Sequence, residues 1–238
     1  MAHEQGAVPL RRARQGAGAR RRTQGARALR VAIGNPLGRE LAAELWRPDT
    51  PGPYPVVVFA DGWGGGQASP DNLALARALV SFRVAVCLVN PIGDGERTRA
   101  ESATGRVDDL RAVLGAVCRG DEVDGTRIGV AAAGVGAAIA LRLAAVDERI
   151  GVLALRSPNL ASGEAEVTGV SVPTLLVVDE RDEPSRTTAE ILLPRLTGGQ
   201  LEVVRRGDHP FEDAETLATA LIVSWLKSHL ACARELRT

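Results

Sequence analysis

The sequence predicts an α/β fold, a doubly wound and mostly parallel sheet with helices on both faces, and three observations lead there. Strand-length apolar runs alternate with helix-length apolar-periodic stretches along most of the chain. Several of the runs, VVVFAD at 56–61, VAVCLVN at 84–90 and TLLVVD at 174–179, are continuously apolar, as strands covered on both faces must be. The chain has 238 residues, 45% hydrophobic and 24% charged, enough apolar material for the core of one domain and too much for a chain without a core.

The elements follow in order. Residues 29–33 and 39–46 read as two strands around a Gly-Asn-Pro-Leu-Gly turn, an antiparallel opening. Four prolines and a glycine make 48–55 a loop. Strand 56–61 leads into a glycine-rich segment and a helix near 70–82, then strand 84–90, a charged loop at 91–105 and a helix over 106–119. RIGVAAA at 127–133 is a strand that passes through glycines into the helix AAIALRLAAV. A strand at 150–155, the strand 174–179, a helix over 185–196, a short strand at 201–205 and a helix over 213–231 complete the pattern.

The formal charge of zero is a cancellation. Residues 1–30 carry eight arginines against one glutamate, net +7, and the remaining 21 bases and 28 acids leave −7. Residues 1–28 are expected to be a disordered Arg/Gly-rich basic arm and 29–238 a single domain, because the arm has no apolar periodicity with which to offset chain entropy. The arm is open to several readings: phosphate contacts, a transit peptide, docking on its own acidic body, or a solvated tail. It has no aromatic residue to stack bases, and the acidic body repels phosphates, so nucleic acid is not the expected partner. No apolar run is long enough to span a membrane. Cys87, Cys118 and Cys232 are widely spaced and odd in number, which fits a reducing compartment better than a disulfide framework. A cytoplasmic location is the default expectation. Neither a metal set nor a dinucleotide fingerprint is present, since Ile139 stands where that fingerprint needs a small residue, and no cofactor is expected.

In sheets of this kind ligands sit at the carboxyl ends of the strands. The segment RRGDHPFED after the last short strand holds His209, the one histidine of three placed at a strand end. ERDEP after 174–179 holds Asp182, a carboxylate that would orient an imidazole, although Asp179, Glu180 and Glu183 are close by in sequence. GWGGGQASP after 56–61 offers backbone N–H groups for half of an oxyanion hole. AAAGVGAA after RIGV at 127–130 has the small residues that a sharp strand-to-helix turn needs.

The order of these segments, oxyanion-type loop, sharp turn, acid, histidine, resembles the α/β-hydrolase superfamily, and most closely its dienelactone-hydrolase-like small serine hydrolases. The resemblance covers roughly residues 38–230 and rests on VVVFADGWGGGQASPDN, RIGVAAAGVGAAIAL, LRSPNLASG and VPTLLVVDERDEP with LEVVRRGDHPFED. It implies Asp182 as acid, His209 as base, and Trp63 and Val135 as backbone oxyanion donors, with Asp61 and Gly62 at the position of the family's His-Gly. It also implies a defect. The Gly-x-Ser-x-Gly elbow reads Ala132-Ala133-Gly134-Val135-Gly136, so Gly134 stands where the nucleophile serine would be.

None of the cysteines sits at a strand's carboxyl end, and Ser69 and Ser157 lie in loops on that edge without a strained elbow. The expectation is therefore a degenerate hydrolase, inactive or very weak on esters, that binds a small molecule or partner. The alternative is an enzyme that uses a His209–Asp182 pair as general base with no covalent intermediate. The oligomeric state is not readable from the sequence.

Overall fold

The structure, a computed structural model, describes residues 11–12, 22–23, 26–34, 40–61, 69–90, 103–160, 168–205 and 214–232. Two short strands, β1 (Arg11–Arg12) and β2 (Arg22–Thr23), each pair antiparallel with β3 (Ala26–Gly34). The strand expected from 29 thus begins three residues earlier, and two short pieces of the basic segment pair with it. β4 (Glu40–Pro48) runs antiparallel to β3. After it come β5 (Tyr54–Asp61), α1 (Pro70–Ser81), β6 (Ala85–Asn90), α2 (Ala103–Val117), β7 (Val123–Gly134), α3 (Gly136–Ala144) and β8 (Ile150–Pro158). β9 (Thr174–Asp179), α4 (Glu183–Leu192), a 3₁₀ turn at Leu193–Arg195, β10 (Gly199–Val204) and α5 (Ala214–Cys232) follow.

Among the described residues the strands form one sheet in the order β1-β3-β4-β6-β5-β7-β8-β9-β10, with β2 also on β3. From β6 to β10 every pairing is parallel, and β4 joins β6 antiparallel. The alternation of each parallel strand divides the core. Val56, Val58, Ile128, Val130, Leu153, Leu155, Leu176 and Val178 face α2, α3 and α4. Val57, Phe59, Ala131, Val152, Ala154, Leu175 and Val177 face α1 and α5. Both faces are covered, which is why these strands are apolar at every position.

Gly129 lies on the α5 face, where a Cβ would come within 3.1 Å of Val152 and 3.3 Å of Leu226, so its small size is what lets α5 lie close to β7. Trp225 Nε1 donates to the Leu153 carbonyl at 2.9 Å and anchors α5 across β8.

Element boundaries differ from the sequence expectation where a neighbour supplies a partner. β7 starts at Val123 rather than 127, because Val123 pairs with Tyr54. β8 runs on to Pro158 rather than stopping at 155, because Arg156 and Pro158 pair with β7. α4 ends at Leu192 rather than 196, since Pro194 has no N–H for a further turn. No helix among the described residues is long and apolar enough to cross a membrane.

Candidate active site

Both faces of the central strands are covered by helices, which directs the search for a site to the strand ends. At the end of β7 the chain turns sharply into α3. Gly134, the last residue of β7, has φ of +53°, in the left-handed region that costs an L side chain about 1–2 kcal/mol. Val135, the next residue, is already helical at φ −67° and ψ −19° and caps α3 without a side-chain bond. One residue therefore separates strand from helix, which is the geometry of an elbow. Among the described residues, a Cβ built on Gly134 would have nothing within 4 Å. The first turn of α3 holds no acid, so its amides and the helix dipole carry partial positive charge at this edge. Val135, taken from the sequence as a backbone donor, stands at the start of that turn, half-buried.

The backbone of Asp61 closes β5 and pairs with Ala133, one residue before Gly134. The loop after β5 thus leaves the sheet beside the elbow. Gly62 and Trp63, the rest of the expected oxyanion segment, lie outside the described residues, as does the side chain of Asp61. His209 also lies outside them.

Asp182 is described and has a structural duty. It is the N-cap of α4: its Oδ1 accepts from Ser185 N at 3.3 Å, and its own amide donates to the Asp179 carbonyl at 3.0 Å. The neighbouring Asp179 accepts from Arg181 N at 2.8 Å through Oδ1. The acid that the sequence proposed is therefore at the carboxyl edge, two strands from the elbow in the order β7-β8-β9, on a turn made rigid by its own cap.

The other hydroxyls and thiols separate. Ser69 accepts from Asn72 N at 3.2 Å as the N-cap of α1. Cys87 is fully buried inside β6, and burial pushes its thiol up to about 12, far from any thiolate. Cys118, just past α2, is also pushed up by burial, with Arg149 acting the other way. Ser157 corrects an expectation. It lies inside β8 rather than in a loop, and its backbone is strained, with φ of +41°. The sequence signal was weak, because a serine before a proline is ordinary in turns. Among the described residues no group of three or more His, Cys, Asp or Glu is placed to hold a metal.

No protein-family model matches the chain, and no curated protein does. Solved structures do. A dienelactone hydrolase from Anabaena variabilis superposes with a TM-score of 0.75 at 23% identity, over 87% of this chain and 99% of that one. The α/β hydrolase GrgF from Penicillium sp. sh18 gives 0.72 at 14% identity, over 86% and 99%. An acetyl xylan esterase from Paenibacillus sp. R4 gives 0.67 at 19% identity, over 87% and 85%. At such identities the likeness is one of architecture, and together with the strand order and the turn at Gly134 it gives this chain the α/β-hydrolase fold.

Proposed function

We propose that this protein is a hydrolase-type scaffold whose elbow has lost its nucleophile, so that it is inactive or very weak on esters and takes up a small carbonyl-bearing molecule at the carboxyl edge of its sheet. The observation that carries the reading is the pairing of two facts at Gly134: the backbone has the left-handed turn of an elbow, and no side chain stands on it. The helix start beside it supports the choice of ligand, since the amides of α3 favour a carbonyl or carboxylate oxygen. On this reading Asp182 and His209 belong to an incomplete triad, with Val135, Gly62 and Trp63 as backbone donors and Asp61 at the rim. Removal of a triad serine costs on the order of 10⁶ in turnover.

The test is a comparison of wild type with Gly134→Ser on p-nitrophenyl esters of increasing acyl length. The variant is expected to gain on the order of 10²-fold or more, a small part of what a complete triad supplies. Wild-type turnover equal to that of an ordinary esterase would overturn the reading, as would a variant with no gain on any ester.

A further inference from the structure

The sheet has two outer edges, and they are finished differently. At one, β1 and β2 cover the outer side of β3, pairing with it at Val31–Ala32 and Ala26–Arg27. At the other lies β10, and among the described residues no strand pairs with its outer side. Two bonds show which way its backbone groups point. Thr174 N donates to the Gly198 carbonyl and Glu180 N to the Val204 carbonyl, each at 3.0 Å. Along a regular strand these directions alternate from residue to residue. Gln200, Glu202 and Val204 therefore turn their N–H and C=O groups to β9, while Leu201 and Val203 turn theirs outward.

An open row of this kind is a template for another strand, and proteins blunt it with lysine, proline, a bulge or a covering segment. β10, GQLEVV, has neither lysine nor proline, and it pairs with β9 residue for residue without a slip. Val203 on this strand is 43% exposed. A valine left open beside a free backbone row is suited to strand pairing rather than to solvent.

The strand's own residues choose the occupant. A second copy of β10, antiparallel about a twofold axis, must join outward residue to outward residue. Centred on Glu202, that pairing sets two carboxylates directly opposite each other, which is unfavourable. Centred on Val203, it sets Glu202 against the buried Val204. Centred on Leu201, it sets Glu202 of each copy against Gln200 of the other, an amide that donates to a carboxylate. The same two groups already bond within one strand, Gln200 Nε2 to Glu202 Oε1 at 2.6 Å. This register also brings Val203 opposite Gly199 of the second copy. A Cβ at Gly199 would lie 3.0 Å from Leu196 Cβ and 3.1 Å from Leu193 Cδ1, so the exposed valine meets apolar surface. The backbone groups of the two Leu201 residues satisfy each other, and Val203 N–H donates to the Gly199 carbonyl across the axis.

We propose that β10 is the contact edge between two copies of this protein, paired antiparallel about a twofold axis at Leu201 so that one sheet runs through both. The contact uses none of the groups at Gly134 and is independent of the reading of that site.

The experiment is sedimentation velocity on the full chain from about 1 to about 100 µM, with Val203→Lys, Gln200→Glu and Gln200→Lys beside wild type. Gln200 and Val203 are both exposed, and thermal melts check that each variant folds. Wild type is expected to move from 25.0 kDa toward twice that mass as concentration rises. Val203→Lys stays at the lower mass. Gln200→Glu places acid against acid at both crossings and weakens the dimer about tenfold, whereas Gln200→Lys holds it at least as tightly as wild type. Wild type at the lower mass throughout overturns the proposal, as does a dimer that Val203→Lys leaves intact. A dimer that is lost in Val203→Lys but equally tight in Gln200→Glu and Gln200→Lys overturns the register at Leu201.

Discussion

β7 and β8 lie side by side, and their two ends are in opposite condition. At the amino ends the polar groups are matched. Asp147, just before β8, takes Arg149 Nε at 2.8 Å and Nη2 at 2.5 Å, together with the Arg149 amide at 3.2 Å. Asp124, at the start of β7, takes the Thr126 hydroxyl at 2.6 Å and Arg127 Nε at 2.7 Å. The hydrogen bonds from Arg149 hold the Asp147 carboxyl below the ordinary range against the opposing effect of burial. At Asp124 burial is the largest influence and pushes the carboxyl up, but the bonds from Thr126 and Arg127 together outweigh it and hold the carboxyl low.

At the carboxyl ends of the same strands, Gly134 and Ser157 both have left-handed backbones and the pairing slips by a residue. The difference teaches where this molecule keeps its order. The amino end contributes stability, and the carboxyl end carries strain that the rest of the sheet tolerates. Functional edges are built that way when a backbone must present a group rather than bury it.

The comparison can be broken from either end. The largest stability effect belongs to the amino end. Asp147→Ala removes three charge-assisted bonds and should cost about 1.5–3 kcal/mol, lowering the melting temperature by several degrees in a thermal melt, while the ester turnover gained by Gly134→Ser stays the same in its presence. A change in that turnover would show that the two ends are coupled.

Next in size, Gly134→Ser should cost about 1–2 kcal/mol for placing a side chain at positive φ, with no clash against the described residues to add. Urea unfolding at constant m-value measures it. A variant as stable as wild type would mean that this turn accepts a side chain without cost.

The shallowest effect is the response to acid. Folded values below the ordinary aspartate range mean that Asp124 and Asp147 contribute stability in full above about pH 4. That contribution is lost as pH falls through their depressed values. Urea midpoints between pH 6 and 2.5 should fall in the acid limb, and replacing both aspartates by asparagine should flatten that limb.

Much of this fold could be read from patterning, because patterning is local. The apolar run 174–179 had to be a strand covered on both faces, and 137–146 had to be a helix. The step from strand to helix through Ala132-Ala133-Gly134-Val135-Gly136 was visible as a run of small residues, and the glycine at its centre was visible as a missing side chain. Asp182 was legible as an acid at a strand end. Its duty as a helix cap could also have been found in Asp182-Glu183-Pro184-Ser185, where an aspartate precedes an early helical proline. Ser157 was not legible. Its neighbour Arg156 is held by Glu215, 59 residues further along the chain, and by Asp71 on a different helix. No window of sequence contains those partners.

The sequence alone therefore settled the alternation of strands and helices, the two-sided burial of the central strands and the absence of a side chain at position 134. These depend on residue type and on the periods of strand and helix, which act within a few positions. The tertiary structure decided the order β6-β5-β7-β8, the slip in register between β7 and β8 and the left-handed backbones of Gly134 and Ser157. Those depend on pairings between distant segments, whose contacts can hold a serine in a conformation its own neighbours in sequence would not choose.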